Sequence, residues 1–159
     1  MKSTALRVAL LLSLALVCLP LAAQPIGSVD MNLDNVTLDL NSVERKGNVL
    51  TVKWTVHNKG EKTATVQFPL SGKQNITTYL VDEESGTKYY ALTDKEGNTL
   101  ASEHVYIGSD AYGISEYVEA GKSVKYWAKF PAPPPAVKSI NILFSKAEPF
   151  EGIAITDKK

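Results

Sequence analysis

The 159-residue sequence has a single cysteine, Cys18, and no excess of either charge, with 17 Lys and Arg against 17 Asp and Glu. One thiol can make neither an internal disulfide nor a cysteine zinc site. A net charge of zero leaves no polybasic footprint for a nucleic-acid partner. His57 and His104 are the only imidazoles. No stretch sustains a 3.6-residue apolar period, which argues against a helical bundle. Hydrophobic residues nevertheless make up 44% of the chain, too many for a disordered one, and the length suits a single domain.

The one long apolar run lies near the start. Lys2 and Arg7 precede Val8–Leu19, and Pro20-Leu21-Ala22-Ala23 follows. A basic start, a short apolar stretch and a small residue at the cut describe a secretory signal peptide, with cleavage expected after Ala23. The run is shorter than a spanning helix needs, and Pro20 interrupts it. Val17 before Cys18 is too large for the usual lipoprotein cut. The expected organisation is a signal peptide at 1–23 and one domain at 24–159. Removing Lys2, Arg7 and Cys18 leaves 17 − 2 = 15 basic and 17 acidic residues, net −2, with no thiol. No membrane span remains after cleavage.

What is abundant is alternation of period two, the pattern of strands with one buried face. Val29, Met31 and Leu33 alternate with polar residues; the phase slips at Asp34-Asn35, and Val36, Leu38 and Leu40 continue. Leu50, Val52, Trp54 and Val56 follow a Lys46-Gly47-Asn48 turn. Ala64, Val66 and Phe68 follow a turn at Asn58–Glu61, and Pro69 is expected to end that strand. A hairpin is expected from Thr77–Val81 to Tyr89–Leu92 around Asp82–Gly86. Val124, Tyr126, Ala128 and Phe130 make another run, then Ser139–Phe144 and a weaker Ile153/Ile155 strand. Pro131-Ala-Pro-Pro-Pro135 reads as a stiff crossing between strands rather than a linker. The fold class expected is all-β: an immunoglobulin-like antiparallel β-sandwich of seven to nine strands without a disulfide.

Candidate chemistry is sparse. His57 falls on the polar face of its strand, at its end. His104 could be joined with Ser109 and Asp110 on paper, but there is no nucleophile elbow. Asp82-Glu83-Glu84 and Asp94–Asn98 offer oxygen ligands without a calcium-loop spacing, and each suits a polar turn. Asn35-Val36-Thr37 and Asn75-Ile76-Thr77 are glycosylation sequons. The stretch 99–117 shows no period and is expected to be a long loop carrying Tyr106, Tyr112 and Tyr117 as binding residues. Trp127 shares a face with Lys125 and Lys129, opposite Val124, Tyr126 and Phe130, so it is the fourth candidate.

Three blocks carry a likeness to known proteins: Trp54-Thr55-Val56-His57-Asn58-Lys59-Gly60; Tyr79–Asp82 leading through Gly86 to Tyr89; and Val118–Ser123 leading to Phe130-Pro131 and the strand Ile140–Phe144. Over roughly residues 30–155 the chain resembles secreted bacterial immunoglobulin-like domains of unknown function, relatives of the mycobacterial immunoprotective extracellular antigen. That resemblance implies export and a β-sandwich, and it supplies no catalytic residues. The resulting expectation is an extracytoplasmic, periplasmic or secreted, non-catalytic module that binds an envelope protein or ligand and needs no cofactor or metal. One alternative is a metal-binding or enzymatic protein using His57, His104 and the acidic turns. Another is a stress-protective envelope protein, although the Asn-Pro-Asn signature of water-stress sandwiches is missing.

Overall fold

The computed structural model describes residues 24–72, 77–108 and 110–159. The expected signal peptide, Cys18, the sequon at Asn75 and Ser109 lie outside the described residues. Strands of four residues or more number nine among them: β1 (Gly27–Asp30), β2 (Val36–Lys46), β3 (Val49–Asn58), β4 (Ala64–Ser71), β7 (Val105–Gly108), β8 (Ala111–Val118), β9 (Ser123–Pro131), β10 (Ser139–Leu143) and β11 (Phe150–Ala154). Shorter pieces are β5 (Tyr79–Val81), β6 (Lys88–Tyr90) and β12 (Thr156–Asp157). No described helix is long and apolar enough to cross a membrane.

The molecule is an all-β sandwich, antiparallel but for one pair. One layer is the sheet β1-β2-β3-β9, with β12 running parallel beside the C-terminal half of β2. The other layer holds two smaller sheets, β11-β10-β5-β6 and β4-β8-β7. Alternation places Leu50, Val52, Trp54 and Val56 of β3, and Tyr126, Ala128 and Phe130 of β9, in the buried interior. Trp54 anchors the contact between layers. Its ring lies 5.3 Å from Phe68 of β4 and 5.1 Å from Phe144, the residue after β10, so both small sheets close on it. Rings in such edge and tilted arrangements add to the stabilisation from burial alone.

Local chemistry sets the turns. Lys46 and Val49 pair across a two-residue hairpin whose Gly47 has φ +58°. The phase slip at Asp34-Asn35 is a strand break, and Asn35 has positive φ there. A further bulge occurs within β2 at Asn41: Val36, Leu38 and Leu40 point inward before it, Val43 and Arg45 after it. Arg45 is therefore turned into the interior, 4% exposed. Its guanidinium donates to the carbonyls of Pro133, Pro134 and Val137 at 3.2, 2.9 and 3.1 Å and makes a two-pronged pair with Asp157 at 2.6 and 3.1 Å. One buried cation thus fixes both the proline crossing from β9 to β10 and the C-terminal strand β12.

Two expectations are corrected. Pro69 does not end β4, which continues to Ser71 with Pro69 opposite Gly113. The carbonyl of Pro69 accepts Thr78 N–H on the side away from β8, and a residue's N–H and C=O point the same way in a strand. The missing N–H is thus not required by the β4–β8 ladder. A side chain at Gly113 would collide with the Phe68 carbonyl, so the position opposite Pro69 must be glycine. The second correction concerns 99–117, which is not one long loop. It contains β7 and β8, and among its described residues the irregular ones are those before Val105 and the turn residue Asp110.

Candidate ligand-binding face

The outer surface of the large sheet follows directly from register. His57 pairs with Thr37 on β2 and Ser123 on β9; Thr55 pairs with Asp39 and Lys125; Lys53 pairs with Ser42 and Trp127; Thr51 pairs with Glu44 and Lys129. Because alternate residues share a face, these four rows form one panel. A hollow of about 670 Å³ lies over it, lined by Trp127, Lys125, Lys53, Thr55, His57, Ser123, Asp39 and Asn41, with Pro25 among its remaining lining residues.

The polar members are held in place. The Thr55 hydroxyl donates to Asn41 Oδ1 at 2.7 Å, so the bulge in β2 re-aims Asn41 across the sheet. His57 bridges three strands, with Nε2 2.9 Å from Asp39 Oδ2 and Nδ1 2.6 Å from Ser123 Oγ. A carboxylate only accepts, so Nε2 carries a proton, and in the neutral ring Nδ1 accepts from Ser123. The set has the composition of a hydrolytic triad with the two ring nitrogens exchanged, since in the catalytic arrangement serine meets Nε2 and aspartate meets Nδ1. Ser123 also opens a regular strand rather than a strained elbow.

Trp127 is 37% exposed. It is framed by Ser102, whose N–H donates to Trp127 O at 2.9 Å and whose Oγ accepts Trp127 N–H at 2.7 Å. The proline crossing begins at Pro131, four residues along β9, where it pairs with Val49, and the indole stays partly exposed. Lys129 Nζ stands 5.6 Å from the indole centroid.

The three tyrosines do not join Trp127 in one site. Tyr106 and Tyr112 face each other across β7 and β8 at 5.4 Å, and Tyr112 stacks on His104 at 4.9 Å with ring planes only 3° apart. His104 is oriented by accepting Thr99 N–H at Nδ1, 2.8 Å away. These rings form a separate exposed patch. Tyr117, 74% exposed, stands five residues along β8 from Tyr112, roughly 17 Å, and an odd separation puts it on the other face.

The acidic turns fold back on themselves. Asp82 accepts from Glu84 N–H and Ser85 Oγ, and Asp94 accepts from the N–H groups of Glu96 and Asn98 and from Asn98 Nδ2. The hydrogen bond from the Asn98 side chain, helped by the turn's backbone N–H groups, holds the Asp94 carboxyl below its usual range. Among the described residues no group of three or more His, Cys, Asp or Glu is arranged to hold a metal ion.

Asn58, within the Trp54–Gly60 block, is buried. Its amide donates to the carbonyls of Lys62 and Val118, both at 2.8 Å, and its oxygen accepts Gly60 N–H at 3.0 Å. It ties the end of β3 to the turn that precedes β4 and to the end of β8. The sequence pattern put His57 beside Thr55 on a polar strand face and Trp127 between two lysines, but it assigned the binding surface chiefly to the tyrosines of 99–117. It did not reveal Asp39, Asn41 and Ser123 as neighbours, because that needs the order β2-β3-β9. No family model matches the chain, and searches of curated proteins and of solved structures found no match.

Proposed function

We propose that the chain is an exported, non-catalytic β-sandwich module of the bacterial cell envelope that binds a ligand or partner on the outer face of β2-β3-β9, around Trp127. The observation that carries the reading is the hollow itself. It sets a rigid, half-buried indole beside convergent side-chain donors and acceptors fixed by strand register, which is the composition of a preformed binding site. The signal-peptide pattern at 1–23 supports export. The Asn58 clamp gives the Trp54–Gly60 block a structural purpose in an immunoglobulin-like sandwich and supports kinship with the secreted domains it resembles. The exchanged nitrogens of the Asp39–His57–Ser123 chain support binding over hydrolysis.

The Tyr106–Tyr112–His104 stack favours a second contact surface, since exposed rings held rigid by one another lose little entropy on binding. Capture of envelope components by purified protein, compared with Trp127→Ala and with Tyr106→Ala/Tyr112→Ala, separates the two surfaces. Loss confined to Trp127→Ala is the expected result. Equal capture by Trp127→Ala, with its fold intact, would remove the panel as the binding site. Hydrolysis of chromogenic esters that disappears in Ser123→Ala would overturn the non-catalytic reading.

A further inference from the structure

We propose that the ligand of this face is an acidic saccharide, a pyranose chain bearing carboxylates; the proposal deepens the preceding reading and rests on it. Three lysines surround the indole by register alone: Lys125 and Lys129 two residues either side on β9, and Lys53 directly across on β3. Lys129 stands over the ring but does not line the hollow, whereas Lys53 and Lys125 do. Among the described residues no carboxylate lies within 4.0 Å of the Lys125 or Lys129 ammonium. The two acidic side chains of the panel are already engaged, Asp39 by His57 and Glu44 by Lys53 and Lys158. The Lys53–Glu44 pair is long, 3.4 Å, and solvent-facing, so an incoming carboxylate can displace it at little cost.

The domain 24–159 carries 15 basic against 17 acidic residues, so this cationic rim stands out from an acidic background and complements an anion. The electron-rich face of an indole attracts the polarised C–H groups of a sugar ring. Asn41, Thr55 and Ser123 supply the short donors and acceptors that ring hydroxyls need. An acidic peptide is disfavoured because its backbone would seek a sheet edge. The edge of β9 beside Trp127 is already taken by Ala101, which bridges to Ala128, and by Ser102.

The test is affinity electrophoresis and calorimetry of the purified protein with polygalacturonate, dextran and polyglutamate as probes, at low and high salt. The expected result is binding to polygalacturonate alone, weakened by salt. Affinity should fall about tenfold or more in Trp127→Ala and in Lys125→Glu, and survive in Trp127→Phe. Both positions are exposed, and circular dichroism verifies that the variants fold. Equal binding to dextran would overturn the acidic class while leaving the face intact. Equal binding to polyglutamate, or polygalacturonate binding indifferent to Trp127→Ala, would overturn the saccharide. No binding to polygalacturonate would overturn the proposal outright, with the panel's role then decided by the capture experiment above.

Discussion

Replacing Arg45 by Met tests the physical account of the fold most sharply. The guanidinium is the partner of three carbonyls in the proline crossing, one bond buried and two partly buried. Methionine fills much of the same volume and supplies no donor, so three hydrogen bonds are lost at about 1 kcal/mol each, the Pro134 carbonyl keeping its bond from Val137 N–H. The expected loss is about 3 kcal/mol, or roughly 12 °C in melting temperature for a domain of this size. The ion pair contributes much less, because the Asp157 carboxylate is 56% exposed. Asp157→Asn keeps an oxygen for the guanidinium and leaves all three carbonyl bonds in place, so it should lower the melting temperature by only a few degrees. Urea unfolding and scanning calorimetry of both variants decide the matter. If Asp157→Asn proves as costly as Arg45→Met, or if Arg45→Met melts like the parent, the carbonyl-clamp argument is wrong.

Other outcomes follow from the same structure. Asn58→Ala should cost about 2–3 kcal/mol in urea unfolding, and Asn58→Asp at least as much, since a carboxylate cannot donate to the carbonyls of Lys62 and Val118. Gly113→Ala should cost about 3 kcal/mol or more, because its Cβ meets the Phe68 carbonyl, whereas Gly86→Ala, with open space around it, should cost only its positive-φ strain. Stability should fall with acid. The Arg45 hydrogen bond and the Asn98 hydrogen bond hold Asp157 and Asp94 below their unfolded values, so their contribution is complete above the ordinary carboxylate range and is lost as pH drops through the folded values. Melting temperatures between pH 2 and 6 should show this slope, and Asp94→Asn/Asp157→Asn should flatten it. Iodide should quench Trp127 and spare Trp54, so Trp127→Phe should leave a blue-shifted, unquenched emission.

Alternation made much of this fold legible. In β3 and β9 every second residue is apolar, and the interior faces read from the sequence are those of the structure, with Trp127 turned outward. The hairpin across Asp82–Gly86 was equally readable, because Asp82 satisfies the turn locally. The pattern failed where one face mixes chemistries. In β2 the bulge at Asn41 reverses the phase, and one of the two inward residues after it is an arginine, whose carbonyl partners lie about 90 positions away. In β8, Gly113 carries no side chain and Glu116 shares the inner face with Ile114 and Val118, so no period survives and the strand looked like a loop. The site was half legible for the same reason. Trp127 and its lysines sit on one strand, but the Asp39–His57–Ser123 bridge spans residues 18 and 66 positions apart and exists only once β2, β3 and β9 lie side by side.

The most direct test of the binding face is a nitrogen–proton correlation spectrum recorded while envelope glycan extract is added. The two indole N–H signals report the two faces of one sheet. The account predicts that the Trp127 indole shifts or broadens together with the amides of His57, Ser123 and Lys125, while the Trp54 indole stays still. Shifts confined to Tyr106 and Tyr112, or an unmoved Trp127 signal in the presence of bound ligand, would contradict it.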